Sequence, residues 1–338
     1  MTDTRPSPVG ASAVAATQPD ASAAGGRDCV LRATDLVKRY GDLVAVDGLS
    51  IEVRRGEILG FLGPNGAGKT TTLKMMSGLL APDAGSVEID GRPVRAGALH
   101  GSASVGVAPQ EIVIWDSLTC LEQLQFAGMM YDMPAAAARE RATYLLEVFG
   151  LEGKARKLGK TLSGGMQRRL NIALGLVHEP EILFLDEPQA GLDPQSRVLV
   201  REYLRSLRGR MTIVVTTHDM EEADKLSDRV CVIDHGRLLV MGTVAEVKGR
   251  LGGGELFEIT VDADVTEALL PFLHRLRPTC TLSADGSTLS LASTQPAEAV
   301  AEVLREVAGR GLLLVNLRAR GATLEDVFID LTGRKLRE

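Results

Sequence analysis

The stretch Gly63-Pro64-Asn65-Gly66-Ala67-Gly68-Lys69-Thr70 limits what this chain can fold into more than any other. It fits the pattern G-x-x-x-x-G-K-[ST], in which a glycine-rich loop joins a buried strand to a helix. Both flanks agree. The apolar run Ile58 to Leu62 reads as the strand, and Thr70 to Leu80 has helical character. Glycines let backbone N–H groups turn inward and approach an anion closely, and the helix start adds the positive end of its dipole. In that geometry Lys69 reaches the β- and γ-phosphates of a nucleotide, and the Thr70 hydroxyl holds Mg²⁺.

The chain is long enough, at 338 residues, for two domains and a sizeable core. A formal net charge of −6 gives no support for a general nucleic-acid binder. No apolar run approaches the roughly 20 residues that span a bilayer, so any membrane role is expected to be peripheral. Cys29, Cys120, Cys231 and Cys280 lie far apart with no C-x-x-C pair. That spacing excludes the usual zinc patterns and fits reduced thiols in a cytosolic compartment.

Residues 1–28 contain no Ile, Leu, Phe, Trp or Tyr and are rich in Ala, Ser, Pro and Gly, a composition expected to be disordered. Order is predicted to begin with a strand over Cys29 to Ala33, a turn at Lys38 to Gly41 and a strand over Ala45 to Val53. Short strands follow in Gly85 to Val94 and at Val105 to Ala108. From about 111 to 180 the pattern turns mostly helical. Thr119-Cys120-Leu121-Glu122 reads as a capping box, Pro134 as a helix start and Gly150 as a helix end. Ser163-Gly164-Gly165 opens another helix. Ile182 to Leu185 is apolar on both faces, as in a parallel sheet, and so is Met211 to Thr216. Past Gly252-Gly253-Gly254, read as a linker, the expected order is strand, helix (Thr266 to Leu276), strand, strand, helix (Pro296 to Ala308) and strand (Leu312 to Leu317). This βαββαβ order is ferredoxin-like. A closing helix starts at Thr323.

Carboxylates at the C-terminal end of a buried strand sit where α/β sheets bind ligands. Asp186 suits Mg²⁺ coordination through water, and Glu187 suits orienting and deprotonating a water that attacks the γ-phosphate. Four other positions admit two readings each. Tyr40 either stacks on a nucleobase or is a partly exposed loop tyrosine. Gln110 either reaches a metal or water or is a surface glutamine. Ser163 with its glycines is either a second anion-binding helix start or an ordinary N-cap. His218 either donates to a γ-phosphate or is structural.

Taken in order, Lys69 and Thr70, Gln110, Leu162 to Gln167, Asp186-Glu187, Asp193 and His218 resemble the nucleotide-binding subunit of an ATP-binding-cassette (ABC) transporter, over about 30–245. Ser163-Gly164-Gly165 separates that family from other phosphate-loop ATPases. The resemblance implies a fold for 29–245: an α/β P-loop NTPase with a RecA-like core and a helical subdomain at about 111–175. The element order at 255–338 adds a small α+β ferredoxin-like domain. It implies that ATP is bound by Tyr40, by Gly63, Pro64, Asn65, Gly66, Ala67, Gly68, Lys69, Thr70 and Thr71, and, from a second protomer, by Ser163, Gly164 and Gly165. Asp193 would cross the dimer interface. Glu187, His218 and Gln110 would serve catalysis, and Thr70, Gln110 and Asp186 the Mg²⁺.

The implied partners are an integral membrane permease and a second copy of the chain in a head-to-tail pair. No nucleic acid is implied, and the chain would sit on the cytoplasmic face of the membrane. Met166 stands where many members have Gln, a variant that resembles drug-resistance exporters, and Gln189 stands where Thr or Ser is usual. The tail from Thr323 to Arg334 resembles the ending of daunorubicin-resistance-type subunits, which favours export over an importer ATPase with a regulatory C-terminal domain. A soluble ABC ATPase acting on ribosomes or DNA would be expected to carry a second cassette or a coiled-coil or zinc insertion, and neither is present.

Overall fold

A computed structural model describes residues 29–97, 104–264, 280–293 and 295–333. The segment expected to be disordered at 1–28 and the helix expected at 266–276 lie outside the described residues.

Two sheets build the first part of the chain. β1 (Cys29–Tyr40) and β2 (Leu43–Arg54) form a long antiparallel hairpin, extended by β4 (Ala84–Ile89) and the short β5 (Arg92–Pro93) in the order β2-β1-β4-β5. The second sheet has the order β10-β9-β3-β8-β7-β6, from β3 (Ile58–Leu62), β6 (Val105–Ala108), β7 (Ile182–Asp186), β8 (Thr212–Thr217), β9 (Arg229–Asp234) and β10 (Arg237–Thr243). All its pairings are parallel except β9 with β10.

Every residue of β3 and β7 is buried, the continuous apolar run that a parallel sheet covered on both faces requires. Alternation then divides the strands between two cores. Ile182 and Phe184 face a cluster with Leu59, Phe61 and Val214, packed on the antiparallel sheet and on α1 (Lys69–Met76). Leu183 and Leu185 face the helices instead, with Ile58, Ile213 and Val215. Those helices are α2 (Cys120–Met130), α3 (Ala135–Val148), α4 (Gly164–Leu176) and α5 (Pro194–Ser206). The capping box at Thr119 and Glu122 is present, Pro134 caps α3, and Gly150 takes a left-handed φ of 62° just past its end.

Sequence expectation and structure part in four places. Lys38 to Tyr40 continue β1, because Asp83 holds both the Lys38 ammonium and the Arg39 N–H and so keeps the chain extended; the turn falls at Gly41 instead. The helix after the loop ends at Met76, where Ser77 and Gly78 turn back on the last carbonyls, and does not reach Leu80. An additional helix, α7 (Val244–Gly249), follows β10 under a capping box from Thr243 and Glu246, after α6 (Met220–Leu226) has covered the sheet nearby. The last strand, β14 (Leu314–Gly321), starts two residues later and runs four further than the alternation suggested, because its backbone pairs β11 (Glu255–Val261) out to Gly321.

The C-terminal sheet orders β12 (Cys280–Asp285), β13 (Thr288–Ser293), β11 and β14 side by side, every neighbour antiparallel. Ile259, Leu289 and Leu291 of this sheet pack on α8 (Pro296–Gly309) through Val303 and Val307. The closing helix α9 (Leu324–Thr332) looks the other way. Its Leu324, Val327 and Phe328 join Met220, Val230, Val240 and Val247, so one apolar cluster runs across the glycine segment Gly252–Gly254.

Candidate active site

The order β3-β8-β7-β6 explains why motifs distant in sequence meet. These strands run parallel, so their C-terminal ends lie on one edge of the sheet. At about 4.8 Å between neighbours, the loops after β3 and β6 are only about 14 Å apart. Along that edge stand the glycine-rich loop after β3, His218 after β8, Asp186 and Glu187 at the end of β7, and Gln110 after β6.

The loop Gly63 to Gly68 depends on its glycines for two reasons. Gly66 (φ 81°) and Gly68 (φ 99°) adopt left-handed backbone, and a Cβ on Gly68 would collide with the carbonyl of Ala45. Pro64 is half buried, Asn65 is exposed and Ala67 is buried; Ala67 N–H turns back on Pro64 O. Lys69, Thr70 and Thr71 open α1, where the first N–H groups have no acceptor within the helix. Lys69 is buried, and its Nζ donates to Gly63 O at 2.7 Å and Pro64 O at 3.1 Å, 3.6 Å from Glu187 Oε1. Burial pushes this ammonium below the usual lysine range, and the nearby Glu187 carboxylate pulls it back.

Asp186 is buried, and its Oδ1 accepts from Thr70 Oγ1 at 3.2 Å and from Thr216 Oγ1 at 2.5 Å. Glu187 takes a φ of 50°, a conformation that L residues rarely adopt. Its N–H is held by both the carbonyl and the hydroxyl of Thr216, at 3.2 and 3.0 Å. Its Oε2 lies 2.8 Å from His218 Nδ1, with the imidazole otherwise exposed. A buried ammonium, two carboxylates and an imidazole thus meet at one loop. That set can neutralise phosphate charge and take a proton from a water.

The remaining expected residues divide. Gln110 belongs to the same edge, with an exposed side chain. Tyr40 stands exposed at the end of β1, its ring 6.0 Å from Lys38 Nζ. Ser163 caps α4 by accepting Met166 N–H, and Ser163 and Gly164 are exposed while Gly165 is half buried. Asp193 is exposed and caps α5, accepting from Ser196 N–H and Oγ; those bonds hold its carboxyl below the usual range. Among the described residues no hydrogen bond joins Ser163 or Asp193 to Lys69, Asp186 or Glu187.

Two residues at the centre of the site were not singled out by the sequence reasoning. Thr216 read only as part of an apolar strand. Arg168 fell within the helix that Ser163-Gly164-Gly165 opens with no role attached, yet it is buried and donates to the carbonyls of Pro109, Gln110, Asp186, Glu187 and Pro188. The available signal was helical spacing: Arg168 lies within the buried stripe that includes Asn171, Ile172 and Gly175.

The family profile described as ABC transporter matches residues 46–190. The linearmycin resistance ATP-binding protein of Bacillus subtilis is 36% identical over 312 residues, covering 91% of this chain and all of that protein. The chain belongs to the ATP-binding subunits of ABC transporters. The daunorubicin resistance ATP-binding protein of Streptomyces coeruleorubidus is 40% identical over 89% of this chain and 96% of its own length. The Nod factor export ATP-binding protein I of Ralstonia nicotianae is 41% identical over 93% and 97%. A dimeric post-hydrolysis ATP-binding cassette bound to ADP and Pi superposes with a TM-score of 0.59 at 26% identity, over 63% of this chain and 98% of that one. As an ABC ATP-binding subunit the chain binds and hydrolyses ATP. Among its described residues no helix is long and apolar enough to cross a membrane.

Proposed function

We propose that this ATPase powers the export of drugs or other hydrophobic compounds through a separate membrane permease, as one of two copies paired head to tail. One observation carries the reading. The chain has two helix starts suited to phosphate, the buried Lys69 site and the exposed Ser163-Gly164 start, and they are not bonded to each other. A second copy rotated by a twofold axis brings each exposed start onto the other's nucleotide, so that ATP joins the pair.

In this reading ATP phosphates sit on Gly63 to Thr71, with Tyr40 against the base. Ser163, Gly164 and Gly165 close on the γ-phosphate from the partner, and Asp193 lies at the interface. Glu187 accepts a proton from the attacking water, while His218 holds the other oxygen of that carboxylate and steadies it. Lys69 neutralises charge that builds on the phosphate oxygens. The Thr70 hydroxyl and the Asp186 carboxylate offer the hard oxygen donors that Mg²⁺ prefers, and Gln110, on the same edge of the sheet, would add its amide oxygen. Bound there, Mg²⁺ would offset phosphate charge.

Of the three relatives named above, two are resistance ATP-binding proteins and one is a Nod factor export ATP-binding protein, which supports outward transport. The segment after Gln110 exposes Val113, Trp115, Phe126 and Met130, an apolar surface suited to a permease loop at the cytoplasmic face of the membrane. The C-terminal part at 255–338 is read as a ferredoxin-like accessory domain following the ATPase domain at 29–245, since its strand order matches that fold.

The test is capture of a tagged Glu187→Gln chain from detergent-solubilised membranes of its native cells, with ATP and Mg²⁺. A polytopic membrane protein should be recovered with it, and more with ATP than with ADP. Recovery of ribosomes or DNA-bound factors, with no membrane protein, would overturn the reading.

A further inference from the structure

Arg168 presents an unusual set of bonds. A guanidinium carries five N–H donors in one rigid plane. Here all five are used, and every acceptor is a backbone carbonyl. Nε reaches Pro188 O at 3.3 Å. One terminal nitrogen reaches Pro109 O and Gln110 O, both at 2.8 Å. The other reaches Asp186 O and Glu187 O, both at 2.5 Å. The side chain is 3% exposed, so water does not compete for these bonds. One turn along the helix, Asn171 reinforces the arrangement. Its amide donates to Pro109 O at 3.1 Å, and its carbonyl accepts from Val113 N–H at 3.1 Å.

The acceptors come from two separate places. Pro109 and Gln110 begin the loop after β6; Asp186 ends β7, and Glu187 and Pro188 follow it. Both carry groups that serve this chain's own nucleotide. The donor belongs to α4, whose N-cap is Ser163, only about 7.5 Å away along the helix axis at 1.5 Å per residue. Glu187 also holds a left-handed backbone that is unfavourable for a non-glycine residue. Thr216 fixes its N–H and Arg168 its carbonyl, so the peptide is pinned from both sides.

We propose that Arg168 is a positioning residue that links the two ATP sites of the pair: a shift of α4, set by the partner's nucleotide at Ser163, moves Gln110 and Glu187 at the chain's own nucleotide. This rests on the head-to-tail reading above. The mechanical argument is direct. The donors are coplanar and stiff, so α4 cannot slide by an ångström without stretching several buried, charge-assisted bonds or carrying both loops with it. The loops are the softer partners. Contact at Ser163 is thereby converted into placement of the water-activating carboxylate, and thermodynamic linkage makes the effect reciprocal for binding.

The experiment uses the full-length chain with Arg168→Gln, Arg168→Lys and, as a control, Arg169→Gln. Arg169 donates to Phe149 O, within the helical region and away from both loops. ATPase rate against ATP concentration is measured beside affinity for a fluorescent ATP analogue and the ATP-driven dimer. Displacement of a reacting group by about 1 Å costs about 100-fold in rate. Arg168→Gln should therefore lower kcat about 100-fold and leave analogue affinity within about threefold. The Hill coefficient should fall from about 2 towards about 1. Arg168→Lys keeps the charge and the fold but loses the fork, so it should recover only part of kcat, and it carries the test if Arg168→Gln fails to fold.

Wild-type kcat and Hill coefficient in Arg168→Lys, or a loss of kcat matched by equal loss of analogue affinity in both variants, would overturn the coupling role. The same defects in Arg169→Gln would also overturn it, by making the effect one of general helix stability. A wild-type chain that shows no ATP-driven dimer and no cooperativity would remove the head-to-tail reading, and the coupling with it. That outcome is read in the unmutated protein and is distinct from the others.

Discussion

Glu187→Gln should hydrolyse ATP about 10²- to 10⁴-fold more slowly than the wild type while still forming the ATP-dependent pair. In activation free energy that is about 2.7 to 5.5 kcal/mol. The substitution is nearly isosteric and removes only the basic oxygen. An amide cannot take a proton from water at neutral pH, whereas its oxygen can still face His218 Nδ1, now 2.8 Å from the carboxylate. The backbone should keep its place, since the bonds from Glu187 N–H to Thr216 and from Arg168 to Glu187 O involve no side-chain atom of Glu187. Lys69 loses the negative charge 3.6 Å away that raises its pKa, and phosphate would supply a replacement. Phosphate release gives the rate, and size-exclusion chromatography in ATP gives the pairing. A rate above a tenth of wild type would show that another group activates the water.

The sequence made some parts of this site legible because their chemistry is local. The glycine-rich loop declares itself through positive-φ positions that only glycine occupies cheaply, and Asp186-Glu187 through an apolar run that ends in two charges. Their proximity was legible as well, since a parallel sheet gathers strand ends on one edge. Arg168 was not. Its bonds go to carbonyls, which every residue possesses, so no partner residue type marks the contact. Thr216 was hidden for the opposite reason: a threonine at the end of a β-branched strand needs no explanation until Asp186 is found beside it. Helix α7 failed a third way. At six residues it shows little periodicity, and its start depends on the capping box of Thr243 with Glu246. Boundaries moved wherever a long-range bond decided them, as Asp83 does for Lys38 and Arg39.

The largest stability effect is expected at Phe328, in the tail helix α9. It is 1% exposed and packs in a cluster with Met220 of α6, Val230 of β9, Val240 of β10 and Val247 of α7. Truncation to alanine deletes the ring and leaves a cavity that these strands, fixed in the sheet, cannot close. Phe328→Ala should cost about 3 to 5 kcal/mol. Leu331→Ala, less than one turn further along the same helix but 39% exposed and outside the buried cluster, should change stability by no more than about 0.5 kcal/mol. What matters is which part of the chain melts. Leu256 and Ala292 from the C-terminal sheet, with Ala322 just past its last strand, share the cluster with residues of the ATPase sheet, so the glycine segment between them does not divide the apolar core. Phe328→Ala should therefore lower the midpoint of the transition that ATP shifts upward, because ligand binding raises the stability of whatever unfolds with the nucleotide site. If calorimetry with and without ATP instead finds the ATP-sensitive transition unmoved, and only a separate transition lowered, α9 belongs to an independently folding tail. The apolar continuity across Gly252–Gly254 would then be a docking contact between two folding units.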